Sequence, residues 1–241
     1  MSVRLPFVTQ AQPAVRLPAS PTGFVGRERE TAEVIRLLQD YRLVTVTGPG
    51  GVGKTRLAAE VARQVADQFP DGVYFVELSA VTDETRVPAR VAAALGIPQA
   101  AGRSVPETLA AALSARRVLL VLDNCEHLLA AAARLCADQL KAADDVRVLA
   151  TSREQLWIGG EARYRLFPLQ LPGAGEPRAA GPPAAVALFA ECARQADPEF
   201  SLTPEFAPLA ARVVTRLDGM PLAIELAAAR IPLTCRSASG R

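Results

Sequence analysis

Eight consecutive residues, Gly48-Pro49-Gly50-Gly51-Val52-Gly53-Lys54-Thr55, fit the pattern GxxxxGK[ST]. Glycines at this spacing let successive backbone N–H groups turn inward around phosphate oxygens, and a following helix N-terminus adds positive potential. Lys54 would reach the terminal phosphates and Thr55 would offer its hydroxyl to Mg²⁺. Arg56 follows directly, in the first turn of the expected helix and within reach of the same nucleotide. The lysine is a compositional rarity, since Lys54 and Lys141 are the only lysines among 27 cationic side chains. From composition alone, a cation at this position would be lysine about 7% of the time.

A second candidate lies at Arg117-Val118-Leu119-Leu120-Val121-Leu122-Asp123, an apolar strand that ends in a carboxylate. Mg²⁺ is small and hard, wants oxygen ligands and keeps several waters, so Thr55 and Asp123 are the expected metal residues. The next residue is Asn124, a carboxamide, which can orient water but cannot accept its proton. Glu126 is the nearest substitute base, and reads alternatively as an acid in the first turn of a helix. His127 reads as a surface or packing residue at a helix start rather than a catalytic one. Val146-Arg147-Val148-Leu149-Ala150-Thr151-Ser152-Arg153 is a further apolar strand with a polar, cationic end. Arg153 could bond a γ-phosphate bidentately, or could simply neutralise Glu154 or Asp123.

These groups need a scaffold, and the hydrophobic pattern supplies one. Leu43-Val44-Thr45-Val46-Thr47 reads as a strand, and Leu57, Ala58, Val61, Ala62, Val65 and Phe69 form the apolar face of a helix behind the glycine loop. Further strands are expected at residues 73–78, 118–122 and 146–150, with a weaker one at 164–167; helices are expected at 87–95, 106–113 and 128–140. Strands alternating with helices imply an α/β fold whose parallel sheet is covered on both faces. On such a sheet the strand C-termini share one edge, where ligands bind.

Residues 168–183 hold five prolines and three glycines and read as a linker or irregular crossing. Beyond it the pattern is helical. Val186, Phe189, Cys192, Ala193 and Ala196 make one stripe, and Phe206, Leu209, Ala210, Val213, Val214 and Leu217 a second. Thr203 reads as the N-cap of that second helix, with Pro204 at its first position and Gly219 closing it; a last helix begins at Pro221.

Composition bounds the function. A chain of 241 residues, half apolar and 22% charged, can bury a real core. Its formal charge of +2 gives no basic excess for electrostatic binding to nucleic acid, so direct DNA contact is not expected. Its apolar runs are far shorter than a membrane span needs, and the N-terminus lacks a signal-peptide core, so a cytoplasmic location is expected. The four cysteines show no CxxC spacing and one histidine accompanies them, which favours neither a zinc site nor a disulfide framework.

Five ordered motifs now carry a resemblance: Phe24-Val25-Gly26-Arg27-Glu28-Arg29-Glu30, the glycine loop, Leu122-Asp123-Asn124-Cys125-Glu126-His127, Thr151-Ser152-Arg153, and Gly219-Met220-Pro221-Leu222-Ala223. Together they resemble the STAND (NB-ARC-like, AP-ATPase) P-loop NTPases, and in particular the ATPase segment of bacterial AfsR/LuxR-type transcriptional regulators. The resemblance spans about residues 20–231, and Met220 replaces the family's usual leucine. It implies a P-loop NTPase three-layer sandwich with sheet order 5-1-4-3-2 and a small C-terminal helical lid. It also implies ATP or ADP with Mg²⁺ as cofactors, Val25, Gly26 and Arg27 beside the adenine, Arg153 as a sensor arginine, and Pro221 packing on the base from the lid. The expected organisation is an extended arm over residues 1–22, the NTPase domain over 23–180, the lid over 181–234, and a tail over 235–241 read as truncated before a winged-helix domain. The expected function is a nucleotide switch in signalling or transcriptional control, with slow hydrolysis by Lys54, Asp123, Glu126 and Arg153, and with protein partners or self-association. The rival readings are an AAA+-type motor, a small-molecule kinase and a non-catalytic scaffold stabilised by nucleotide.

Overall fold

The computed structural model describes residues 23–173 and 182–230. The expected arm at 1–22, the middle of the expected linker with the boundary near residue 180, and the expected tail at 235–241 lie outside the described residues. In chain order the elements are α1 (Glu28–Asp40), β1 (Leu43–Thr47), α2 (Lys54–Gln64), β2 (Val73–Glu77), α3 (Val87–Leu95), α4 (Val105–Leu113), β3 (Leu119–Asp123), α5 (Leu129–Ala142), β4 (Arg147–Ser152), β5 (Glu161–Arg165), α6 (Ala184–Ala196), α7 (Ala207–Arg216) and α8 (Pro221–Ala228).

All pairings are parallel and the sheet runs β2-β3-β4-β1-β5, which is the expected order read from the other edge. Strands β1 and β3 are buried along their whole length, because helices cover both faces. Side chains alternate between the faces. Leu120, Leu122, Val148 and Ala150 pack under α3, α4 and α5, whereas Leu119, Val121, Val44, Val46 and Leu149 pack under α1 and α2. Three layers result. Two expected thiols, Cys125 and Cys136, sit in the first of these cores, where burial pushes Cys125 well above the ordinary thiol range and Cys136 up to about 12. They are therefore inert packing groups.

Two local expectations need correction. The weak strand expected at 164–167 starts earlier, as β5 at Glu161, although Leu166 N–H still reaches Thr47 O at 2.7 Å. Only Ala162 of β5 is buried, so an edge strand with one polar face gave little hydrophobic signal. Helix α7 begins at Ala207 rather than at Pro204. Thr203 Oγ1 does accept the Phe206 N–H at 3.3 Å, but it closes a turn before the helix rather than capping the helix itself. With that start, Ala210 and Val214 face the core and Leu209 is 48% exposed.

The three C-terminal helices bury a small core of their own around Leu169, Val186, Phe189, Ala210, Val214 and Ile224. One glycine closes this unit against the segment that leads to it from the sheet. Gly219 has φ +65°, its carbonyl accepts the Leu169 N–H at 2.9 Å, and a Cβ there would lie 2.3 Å from Leu169 O. No larger residue fits without moving the strand-to-lid segment. Gly219→Ala is accordingly expected to lower the unfolding free energy by about 1 to 3 kcal/mol. A urea midpoint equal to that of the parent chain would show that the lid is not anchored at this point.

Candidate functional site

The loop between β1 and α2 holds Gly48, Pro49, Gly50, Gly51, Val52 and Gly53, with Lys54, Thr55 and Arg56 in the first turn of α2. Val52 is fully buried and pins the loop to the core, while Pro49, Gly50 and Thr55 face solvent. The Lys54 ammonium donates to Gly48 O at 3.0 Å and Pro49 O at 3.1 Å, so it is folded back over the loop it would serve. Burial lowers its pKa; the Glu126 carboxylate opposes that, Arg153 adds to it, and Asp123 opposes it again. All four side chains expected to do chemistry thus share one electrostatic field.

Asp123 ends β3 and is 4% exposed. Thr55 Oγ1 donates to its two carboxylate oxygens at 2.8 and 3.1 Å, and Thr151 Oγ1, from the end of β4, donates to Oδ1 at 2.5 Å. The Thr151 hydroxyl oxygen also accepts the Asn124 N–H at 3.0 Å, and this holds Asn124 in a left-handed conformation with φ 64°. Burial raises the Asp123 pKa above 3.8; the Thr151 and Thr55 hydroxyls lower it, and the Glu77 and Glu126 charges raise it.

Arg153 Nε lies 3.4 Å from Glu126 Oε1, and its guanidinium reaches within 3.9 Å of where a Gly50 Cβ would stand. Arg153 is mostly exposed whereas Glu126 is not, and Glu126 Oε2 is buried with no hydrogen-bond partner. Glu154 receives no side-chain bond from Arg153 here; its own N–H donates to Ser152 Oγ. His127 Nε2 contacts Val81 O at 3.0 Å, away from the carboxylates.

The remaining expected residues surround the loop. Arg27 is buried, bonds Glu30 at 2.6 Å and donates to Val52 O at 3.2 Å and Phe167 O at 2.8 Å, so it ties the Val25-Gly26-Arg27 segment to the loop. Gly26, with φ +70°, packs against Ala184 of α6. Pro221 is buried at the start of α8, and the neighbouring Leu222 N–H donates to Gly51 O at 3.2 Å. The lid therefore rests on the phosphate loop. Arg56 bonds Glu225 of α8 and donates to Gly23 O at 3.1 Å.

Three contributors escaped the sequence reading. Thr151 was visible only as part of a polar strand end, with no sign that its hydroxyl faces Asp123. Glu225 sits one helical turn after Pro221, a spacing that could have suggested a partner for the arginine after Thr55. Glu77 enters through strand order, since β2 pairs Glu77 with Asp123.

These residues fit a nucleotide with Mg²⁺: backbone N–H groups and an ammonium line the loop, and a hydroxyl and carboxylate converge where a hard cation needs oxygen donors. Residues 36–158 match the family described as AAA domain. A "Putative HTH-type transcriptional regulator" of Mycobacterium tuberculosis is 43% identical over 195 residues, which is 81% of this chain and 21% of that protein. Regulatory protein AfsR of Streptomyces griseus is 34% identical over 125 residues, 45% of this chain and 12% of its own. The chain spans about half the length of the mycobacterial relatives that it matches at 42% identity. Among solved structures, a STAND protein with a tetratricopeptide repeat sensor from Pyrococcus horikoshii superposes with a TM-score of 0.57 at 16% identity, covering 87% of this chain and 30% of that one. No helix among the described residues is long and apolar enough to cross a membrane.

Because folding raises the Asp123 pKa, the native state binds its proton more tightly than the unfolded chain. This contribution is fully present below 3.8 and is lost as pH rises through the higher folded value. Asp123→Asn is therefore expected to raise the denaturation midpoint of the metal-free protein at neutral pH, with the gain shrinking as pH falls towards 3.8. Urea titrations from neutral to acid pH decide it, and a variant less stable than the parent at neutral pH contradicts it.

Proposed function

The chain belongs to the AAA domain family, and from that premise we propose that it is an ATP- or ADP-binding switch module of a signalling or transcriptional-regulator ATPase, with slow Mg²⁺-dependent hydrolysis. One observation carries the reading: the Thr55 hydroxyl and the Asp123 carboxylate meet at the mouth of a lysine-bearing glycine loop, with an amide rather than an acid at position 124. Mg²⁺, when bound, neutralises charge on phosphate oxygens.

The chain's own groups divide the remaining work. The N–H groups of the 48–55 loop and the Lys54 ammonium cradle phosphates, and Lys54 must first leave the carbonyls of Gly48 and Pro49. Thr55 and Asp123 hold the metal. Arg153, at the exposed end of the sheet, meets the terminal phosphate, and doing so releases Glu126. The Glu126 carboxylate is then the base available to take a proton from water, but one that must first lose its arginine is a slow base. The adenine lies between the 23–27 segment and Pro221, a position supported by the bonds that Arg56 makes to Gly23 and Glu225 on either side.

A switch tolerates slow chemistry because it needs a long-lived triphosphate state rather than flux. The mycobacterial and AfsR relatives support a place in a regulator longer than this chain, where protein partners or self-association would read the nucleotide state. Such a module works in the cytoplasm and leaves DNA contact to other domains.

Lys54→Ala is expected to weaken ATP binding by about 1.5 to 3 kcal/mol, tenfold or more, with an unchanged circular dichroism spectrum. Calorimetry showing unaltered affinity would remove the phosphate-cradle assignment. Single-turnover assays should give a rate constant well below the ~1 to 100 s⁻¹ typical of kinases. Glu126→Gln should lower that rate further while leaving ATP affinity within a few fold. Rapid steady turnover by the purified chain would instead favour a motor.

A further inference from the structure

The sheet edge opposite the phosphate loop carries a second feature that the nucleotide reading does not use. The start of β1, the C-terminal half of α5 and the turn before β5 enclose an open groove of about 960 Å³. The five residues of β1 separate it from the phosphate loop by roughly 16 Å.

Trp157, the single tryptophan of the chain, stands at the rim and is 77% exposed. Its φ is +60°, a conformation that bulky L-residues rarely adopt. The turn is braced from within: Leu156 N–H and Ile158 N–H donate to the two carboxylate oxygens of Glu161 at 2.9 and 3.3 Å, and Glu161 N–H returns to Ile158 O at 3.1 Å. A rigid turn thus holds a large aromatic side chain in water at a cost in backbone strain, beside Tyr41, which is 43% exposed.

The charge across the groove is uneven. Asp40 pairs with Arg36, and Asp144 with Arg42, whose guanidinium also serves Leu140 O and Ala143 O. Arg134 and Lys141, on the α5 wall, have neither ion-pair nor hydrogen-bond partner among the described residues, and Asp138 between them lies outside the lining. Seven residues apart on one helix, they share a face with Ala137 between them, about 10 Å along the axis. An aromatic anchor beside two uncompensated cations at two-turn spacing is complementary to a helix bearing apolar residues with carboxylates at the same spacing. Nucleic acid is disfavoured, because two cations on one helix would neutralise only two phosphates, too few to hold a duplex.

We propose that this groove, with Trp157 as anchor and Arg134 and Lys141 as charge readers, is a docking site for an acidic amphipathic peptide segment of a partner protein. It stands apart from the nucleotide reading, being on the far edge of the sheet, so Lys54→Ala should bind the peptide as the parent does.

The single tryptophan makes the test direct. A synthetic amphipathic peptide with glutamates two turns apart flanking leucines is titrated into the full chain while Trp157 emission is followed. A saturable blue shift is expected, weakened at least about tenfold by the double variant Arg134→Glu, Lys141→Glu. Trp157→Gly relieves the backbone strain, so it should raise the denaturation midpoint and yet lose at least about tenfold in affinity, measured by anisotropy of labelled peptide. The proposal is overturned by the absence of a saturable response, by an equal response to a lysine-for-glutamate peptide, or by a response to duplex DNA alone. It is equally overturned by an emission shift that appears with protein concentration alone, which would mean that a second copy fills the groove.

Discussion

A carboxylate that must be buried organises this molecule. Asp123 ends β3, a strand buried along its whole length, where desolvation works against its charge, and two threonine hydroxyls answer that cost. One hydroxyl comes from the helix after the glycine loop and the other from the end of β4. Three elements distant in sequence are thereby fixed around one group. Their register brings Lys54, Glu126 and Arg153 into the same field. The same hydroxyl that steadies Asp123 also receives the Asn124 N–H and sets the left-handed turn that aims the chain towards Glu126.

The lid depends on this arrangement rather than adding to it. Its glycine corner at Gly219 lies against the strand-to-lid segment, and its last helix starts with an N–H on the glycine loop. Leu222 sits where a Cβ on Gly51 would be 3.0 Å away, so loop and lid approach as closely as a glycine allows. The Arg56–Glu225 pair is partly exposed, and a pair of that kind contributes about 0 to 1 kcal/mol. Close packing therefore holds the lid, and the ion pair sets its register against α2. In the switch proposed above, a contact of this sort, made partly to the phosphate loop itself, would respond to what the loop holds.

The two edges of the sheet are built on different terms. At the C-terminal edge, polar groups bond one another: Lys54 on carbonyls, Asp123 on hydroxyls, Arg153 on Glu126. At the opposite edge Trp157 stands in water on a strained turn, and Arg134 and Lys141 have no such partners among the described residues. The second edge would therefore gain from an external partner that covers it, as the docking proposal requires.

The residue string alone determined the chemistry-bearing loop, the α/β class and most of the strands, because those depend on local spacing: glycines that free the backbone, apolar periods of two and near four, a strand closed by Asp123. The order of the sheet came only as what the resemblance carried by its ordered motifs implies. The residue string placed β5 and the start of α7 imprecisely, since Glu161–Arg165 buries a single side chain and Thr203 can cap a turn as readily as a helix. What only the tertiary structure decided is which polar groups answer which. That Thr151 serves Asp123, that Glu126 is held by Arg153, and that Arg56 finds Glu225 are bonds spanning 28, 27 and 169 residues of sequence. No local pattern encodes such pairs, because only the packing of elements distant in sequence brings the partners within reach, and that packing is a property of the folded chain rather than of the segment.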